Sequence, residues 1–382
     1  MNVAHTAAII LAAGLSSRMG ALKPLLPLGR ETALCRCVRL LREAGADPVL
    51  AVTGREADRM SEAAREAGAV PVHNPDYARG MFSSVLAGTA ALPGDADAFF
   101  VLPADIPLVR KGVPAALLRA AENAPETVRL VRPFFRGRPG HPPLLSRALV
   151  PRILAHDGTM GLAGALSPLE GAPGAILDLP VPDANILFDM DRPWDYLRAL
   201  ARVDRLDVPS PAECAAFFDA LPDKGKAHAL AVALRADAMA RAVNANRTPA
   251  KRLDRALIRA AALLHDLAKG QKNHEARGGE ELRFWGFSRA ADIVAAHKDP
   301  VPAAGEPVNE REVTALADKL VRCDRPVDIA GRFGEKLAVY GSDPEAAAAI
   351  RRRRDNAFAV RDRIEAEAGK PLADILTGAG LA

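Results

Sequence analysis

The chain is predicted to be an α/β domain with a mostly parallel sheet over residues 1–205, followed by an all-α domain over residues 210–382. Two observations carry that prediction. In the first half, short continuous apolar runs alternate with stretches of helical spacing, as expected for strands buried on both faces and joined by crossover helices. In the second half the strand-like runs disappear and long Ala/Leu/Arg segments take over. The change falls at Val208-Pro209-Ser210-Pro211, whose prolines mark a boundary near 205–210.

Each element can be read in turn. Residues 7–12 form an apolar run ending near glycine, the first strand. Residues 32–44 have helical spacing and stop at Gly45, and residues 48–53 read as a second strand. A helix over 55–67 closes at Gly68, and a third strand follows over 69–72. Residues 83–92 are helical and 98–102 form a further buried strand. Ligands on parallel sheets of this kind sit beyond the carboxyl ends of the strands, so chemistry is expected just after Ala12 and Leu102. In the second half, Thr248-Pro249 reads as an N-cap with proline at the first helical position, opening a helix that ends near Gly270. Asn309 with Glu312 reads as a capping box before a helix containing Asp318.

Composition narrows the classes. With 49% hydrophobic and 26% charged residues the chain has the balance of a globular protein. No run approaches the ~18 apolar residues that span a bilayer, and the amino terminus reads as a strand without the basic lead-in of a signal peptide. No membrane association is expected. Cys35, Cys37, Cys214 and Cys323 show no C-x-x-C pairing, which suits reduced thiols in the cytoplasm. A formal charge of +4 suits the handling of small anions and does not call for nucleic acid. The run Arg351-Arg352-Arg353-Arg354, diluted by Asp355 and without interleaved aromatics, reads as a solvated helix surface.

Leu11-Ala12-Ala13-Gly14-Leu15-Ser16-Ser17-Arg18-Met19-Gly20-Ala21-Leu22-Lys23 follows the first strand. Small residues let backbone N–H groups approach a phosphate chain, and Arg18 and Lys23 add charge. The loop is neither a Walker-type P-loop, since no Gly-Lys-Ser/Thr follows, nor G-x-G-x-x-G. It resembles the signature of nucleotidyltransferases like the molybdenum cofactor cytidylyl- and guanylyltransferases. Further segments resemble that family in its order: Asn74 to Ser84, Leu102-Pro103-Ala104-Asp105-Ile106-Pro107, Gly137-Arg138-Pro139-Gly140-His141-Pro142, and Phe188-Asp189-Met190-Asp191-Arg192-Pro193.

The resemblance covers residues 1 to about 200 and implies a Rossmann-like sheet. It implies nucleotide binding by Leu11, Ala12, Ala13, Gly14, Ser83 and Ser84, and acceptor binding by Gly140 and His141. Arg18, Lys23 and Asp105 would carry catalysis, with Mg²⁺ on Asp105 and on Asp191 or Asp189. Within the family an alanine at the third position of Leu-Ala-Ala-Gly goes with cytidine and a glycine with guanosine, so Ala13 implies CTP.

The second half spaces His228, His265-Asp266, His274, His297 and Asp318 over several helices. An imidazole beside a hard carboxylate oxygen is a mixed donor set that suits Mn²⁺, Fe, Mg²⁺ or Zn²⁺. The spacing resembles the HD superfamily of metal-dependent phosphohydrolases over residues 212–345. That resemblance implies ligation by His228, His265, Asp266 and Asp318, with His274 and His297 at positions that hold a second metal in some members. Lys298 stands where those members often have another histidine.

Together these features predict transfer of CMP from CTP to a phosphorylated acceptor, with molybdopterin favoured, and a C-terminal phosphohydrolase. A molybdoenzyme or an insertion chaperone is the expected protein partner. Two other readings compete: a different acceptor, such as a sugar phosphate or a phospholactate-like molecule, and a non-catalytic cofactor-handling or nucleotide-sensing protein. Retention of Arg18, Lys23 and Asp105 argues against the last, because a mere binder has no use for a metal-holding aspartate.

Overall fold

A computed structural model describes residues 1–14, 18–219, 221–299, 301–303 and 305–381. The chain divides into two compact units, Met1–Leu206 and Asp207–Ala382.

The first unit is built on one sheet. In chain order its strands are β1 (Thr6–Leu11), β2 (Val49–Thr53), β3 (Val70–His73), β4 (Ala98–Pro103), β5 (Leu130–Phe135), β6 (Arg138–Pro139), β7 (Leu144–Ser146) and β8 (Ile176–Pro180). The order across the sheet is β8-β5-β7-β4-β1-β2-β3, with β6 paired to β5. The pairs β4–β1, β1–β2, β2–β3 and β8–β5 are parallel, whereas β7 runs antiparallel between β4 and β5. β2 and β4 are buried at every position and β1 at all but Leu11, which explains why they read as unbroken apolar runs rather than alternating ones.

Helices α1 (Ala33–Glu43), α2 (Ala57–Glu66), α3 (Met81–Ala90), α4 (Gly112–Glu122) and α5 (Pro193–Val203) are the longer helices of this unit. Thr32 caps α1 by accepting from Cys35 N at 3.2 Å, and Gly45, with φ +98°, follows its end. α3 lies close against the sheet at Gly88. A Cβ there would stand 2.4 Å from Ile9 and 3.0 Å from Val52, so only glycine permits that approach.

The second unit contains α6 (Pro211–Phe218), α7 (Asp223–Ala245), α8 (Arg255–Leu264), α9 (His274–Phe284), α10 (Ser288–Ala296), α11 (Glu310–Lys319), α12 (Ile329–Tyr340), α13 (Pro344–Ala368) and α14 (Leu372–Thr377). Its core gathers Val232, Met239 and Val243 of α7, Ile258 of α8, Leu316 of α11, Phe333 of α12 and Val360 and Ile364 of α13. Among the described residues its only strands are those of a hairpin of Val321–Arg322 with Arg325–Pro326.

Two local expectations fare differently. The capping box of Asn309 and Glu312 is formed in both directions. Thr248, in contrast, starts only the 3-10 turn Pro249–Lys251. The helix begins instead at Arg255 and ends at Leu264 rather than near Gly270; it starts there because the Asp254 carboxylate accepts from Ala256 N and Leu257 N, a better cap than a threonine whose hydroxyl makes no such bond. All four cysteines are free. Among the described residues no helix is long and apolar enough to cross a membrane.

Candidate functional site

β1 and β4 are parallel neighbours with Leu11 opposite Pro103. Their carboxyl ends therefore release the small-residue loop and the Asp105 segment side by side. Ala104 N donates to Leu11 O at 3.1 Å, and Met190 N donates to Asp105 O at 2.9 Å, bringing in the 188–193 segment. Lys23 Nζ then stands 3.2 Å from Asp105 Oδ2 and 2.6 Å from Asp191 Oδ1. Arg18, well exposed, reaches Asp191 Oδ2 at 3.3 Å. Burial opposes the Lys23 ammonium, but its bonds to Asp191 and Asp105 outweigh that and raise its pKa. The Lys23 bond holds Asp191 below the ordinary carboxylate value. Asp189 is raised, first by partial burial and then by the charges of Asp191 and Asp105. Asp105 and Asp191, which share Lys23, offer hard-oxygen donors of the kind Mg²⁺ takes, with Lys23 supplying the balancing charge in this arrangement.

The remaining loop residues are placed with less uniformity. Leu15, Ser16 and Ser17 lie outside the described residues. Leu11 is half-buried, Ala12 is buried with its N–H on Val52 O, and Gly14 is exposed. Ala13 is buried, and its methyl group faces Gly54, where an added Cβ would come within 2.9 Å of it. That methyl therefore packs beneath the loop. Ser84 is buried and accepts from Asn74 Nδ2 at 3.0 Å, while Ser83 accepts from the same amide at 2.9 Å and has Asp76 O and Gly80 O as acceptors. Their hydroxyls thus hold the 74–80 loop, with Asn74, a buried residue that composition does not flag, as organiser.

At Gly140 a Cβ would lie 2.6 Å from the Ile186 side chain and 2.7 Å from its carbonyl oxygen, so this glycine is required for close passage. His141 keeps part of its surface open, yet its enclosure pushes its pKa down to about 4, against the pull of Asp189, and the ring is neutral near pH 7.

In the second unit, helix ends converge. His228 comes from α7, His265 caps the end of α8 with Asp266 next to it, His274 begins α9, His297 caps α10, and Asp318 lies near the end of α11. All are buried except half-buried His274. Nδ1 of His228, His265 and His297 lies 2.8, 2.7 and 2.6 Å from the carbonyls of Cys323, Ala262 and Val294. A carbonyl only accepts, so each Nδ1 carries the proton, and in the neutral ring Nε2 is a lone pair. His228 Nε2 and His265 Nε2 are 3.3 Å apart, with Asp318 Oδ1 3.2 Å from the first and Asp266 Oδ2 3.4 Å from the second. Several lone pairs directed at one point call for a shared cation, and the carbonyl-held imidazoles are the support that metal-ligating histidines use.

Two donor groups close to within 4.8 Å among the described residues: His228, His265 and Asp266, and also Asp266, His274 and His297. Asp266 is common to both. Ion pairs from Lys269 to Asp266 and from Lys319 to Asp318 balance the carboxylates; despite burial, His265 and then Lys269 hold Asp266, and Lys319 and then His228 hold Asp318, well below the usual carboxylate range.

A sheet that presents a charged loop and aspartates at its carboxyl edge defines a nucleotidyltransferase-type unit, and converging His/Asp helix ends define a metal-site unit. The chain carries both as known domains: residues 8–172 match the MobA-like NTP transferase domain and residues 226–323 the HD domain. It is 28% identical over 195 residues to the molybdenum cofactor cytidylyltransferase of Escherichia coli (strain K12), covering 51% of this chain and 95% of that protein. It is 33% identical over 141 residues to the bifunctional protein GlmU of Pelobacter propionicus, covering 35% of this chain and 31% of that protein. A solved nucleotidyl transferase from Methanothermobacter thermautotroptrophicus is 25% identical, with a TM-score of 0.46, over 53% of this chain and 99% of that one.

Proposed function

We propose that the first unit transfers CMP from CTP to a phosphorylated acceptor of the molybdopterin type. The observation that carries this is Lys23 held between Asp105 and Asp191 at the mouth of two adjacent parallel strands. In the transfer, an acceptor phosphate oxygen bonds to the α-phosphorus as the bond to the pyrophosphate oxygen breaks, leaving a diphosphate bridge between cytidine and the acceptor and releasing pyrophosphate. Arg18, Lys23 and the loop amides bind and orient the triphosphate and lower the repulsion that an anionic acceptor meets. Asp105, with Asp191 or Asp189, would hold Mg²⁺, which would supply charge screening on the transferring group and the departing pyrophosphate. His141, neutral near pH 7, offers the acceptor phosphate a hydrogen bond without a charge. The similarity to the Escherichia coli enzyme supports both the nucleotide and the acceptor.

The second unit is, on the same terms, a metal-dependent phosphohydrolase. His228, His265 and Asp266, with Asp318 beside the two imidazoles, would hold a divalent cation, and Asp266, His274 and His297 provide a second donor group.

Incubating the full chain with each NTP, Mg²⁺ and a molybdopterin-type acceptor, then weighing the products, tests the transferase reading. CMP-linked acceptor and stoichiometric pyrophosphate are expected. Adducts formed only on a sugar phosphate would redirect the acceptor, and no adduct with any nucleotide would end the proposal. For the second unit, release of phosphate from nucleotides and cyclic nucleotides by the Mn²⁺-loaded chain is expected; bound metal without turnover would assign it to sensing.

A further inference from the structure

The donor cluster of the second unit opens into a cavity of about 830 Å³ whose wall is strongly cationic. Eight lysine and arginine side chains line it against three carboxylates, Asp266, Glu275 and Asp318. A phosphate-binding site for a single phosphoryl group has no need of so many.

The cations fall into two tiers. Lys319 and Arg332 are tied to the donor cluster itself, at 2.6 Å and 3.5 Å from the two oxygens of Asp318. Lys319 also donates to His297 O at 3.3 Å, and Arg332 to Val321 O. Arg353 and Lys336 form an outer tier. Neither pairs with a carboxylate of the cluster, among the described residues. Arg353, from α13, makes a long ion pair to Asp299 Oδ2 at 4.0 Å, and its buried Nε has no hydrogen-bond partner. Lys336, from α12, lines the cavity, with its ammonium 5.8 Å from the centre of the Phe333 ring. Partial enclosure by the wall, and then the charges of Arg332 and Lys319, hold its pKa below the ordinary lysine value, although Asp318 opposes them. Eight cations set against three carboxylates leave the wall with an excess of positive charge, and a buried N–H without a hydrogen-bond partner is costly; an anion seated among them would relieve both. Arg353 belongs to the four-arginine run, and its position in the cavity wall corrects the reading of that run as solvated surface throughout.

We infer that Lys336 and Arg353 form a second anion subsite beside the metal cluster, so that the helical unit takes a substrate carrying two phosphoryl groups. One group faces the donor cluster with Lys319 and Arg332, and the other sits on the outer pair. Adjacent phosphoryl groups, as in a diphosphate, and separated ones, as in a bisphosphate, share this chemistry. The inference rests on the phosphohydrolase reading of the same cavity for its inner group only.

The test uses the full Mn²⁺-treated chain, with metal content measured alongside. Calorimetric binding is compared for orthophosphate and pyrophosphate, and for adenosine 5′-monophosphate and adenosine 3′,5′-bisphosphate. The wild type is expected to bind at least one doubly phosphorylated probe about tenfold or more tighter than its single-phosphate counterpart. Lys336→Met with Arg353→Met, which keeps side-chain length and removes charge, should abolish that advantage while leaving single-phosphate binding within about twofold. The transferase unit is unchanged in the variant, so its binding of the probes cancels in the comparison. Each single variant should show part of the loss, which guards against misfolding of the double one. No two-phosphate advantage in the metal-loaded wild type would overturn the subsite, as would an advantage untouched by the substitutions. Equal weakening of all four probes would assign the wall to general electrostatics and also overturn it. Absence of bound metal with the advantage retained would instead defeat the metal reading and leave the subsite standing.

Discussion

Asp105 offers a clean residue-scale test, because Asn keeps its shape and removes its charge. Lys23 would keep its partner Asp191, so folding should persist. Pyrophosphate release at saturating CTP is expected to fall on the order of a hundred- to a thousandfold in Asp105→Asn; near-wild-type release would remove Asp105 from catalysis. Ala13 is subtler. Its methyl packs beneath the loop toward Gly54, so Ala13→Gly acts by loosening the loop floor and is expected to relax the CTP-over-GTP preference without reversing it. A single pocket contact is worth only ~1–3 kcal/mol. A wild type that uses GTP tenfold better than CTP would refute the cytidine assignment.

His141 makes a pH prediction. Its folded pKa is about 4, against about 6.5 in an unfolded chain. Between those values the unfolded state holds more protons, so stability drops as pH falls from about 6.5 toward 4, by no more than about 2–3 kcal/mol for a partly open group. In His141→Gln that component should vanish. Urea melts followed through Trp194, with Trp285→Phe as background, measure it at pH 7 and pH 5; identical acid sensitivity in both proteins would contradict a buried neutral His141.

At the scale of elements, the metal cluster depends on helix ends more than on helix interiors. His265 and His297 are C-cap residues and His274 opens α9, so each imidazole leaves its helix where the backbone still offers a free carbonyl or a change of direction. His265→Ala removes the Nε2 at the junction of two carboxylates. Metal per chain, read by mass spectrometry after Mn²⁺ treatment, should fall to background with the phosphatase activity; full metal content in the variant would exclude His265 as a ligand.

Elements also divide what the sequence disclosed from what it did not. β1, β2 and β4 were legible because burial on both faces leaves unbroken apolar runs, and the donor residues because His-Asp adjacency is rare in Ala/Leu helices. The true cap of α8 was hidden because Thr248-Pro249 imitates a cap six residues upstream of Asp254. The Asn74–Ser84 segment was legible by resemblance, but the hydrogen bonds by which Asn74 clasps Ser83 and Ser84, and the place of Lys336 and Arg353 in the cavity wall, were hidden for another reason. They meet only through tertiary placement, with no period or spacing to announce them.

At the scale of the whole molecule, the question is whether two units in one chain need each other to fold. Each has its own buried core. Ile9, Val52, Phe99 and Leu145 gather in the first unit, and Met239, Leu316, Phe333 and Val360 in the second. Each unit is also long enough to bury about two-thirds of its unfolded surface on its own, the proportion typical of independent domains. Fragments 1–206 and 207–382 are therefore expected to be soluble and to unfold cooperatively. The two tryptophans, Trp194 and Trp285, fall one in each unit and serve as separate reporters. In the full chain, each single-tryptophan variant should melt at a urea midpoint close to that of its own fragment. Fragments that bind a hydrophobic dye, lose near-ultraviolet dichroism and melt without cooperativity would show that neither core is sufficient. Midpoints that coincide in the full chain but differ between fragments would show energetic coupling of the two units, and would make the transferase and the phosphohydrolase one folding system instead of two.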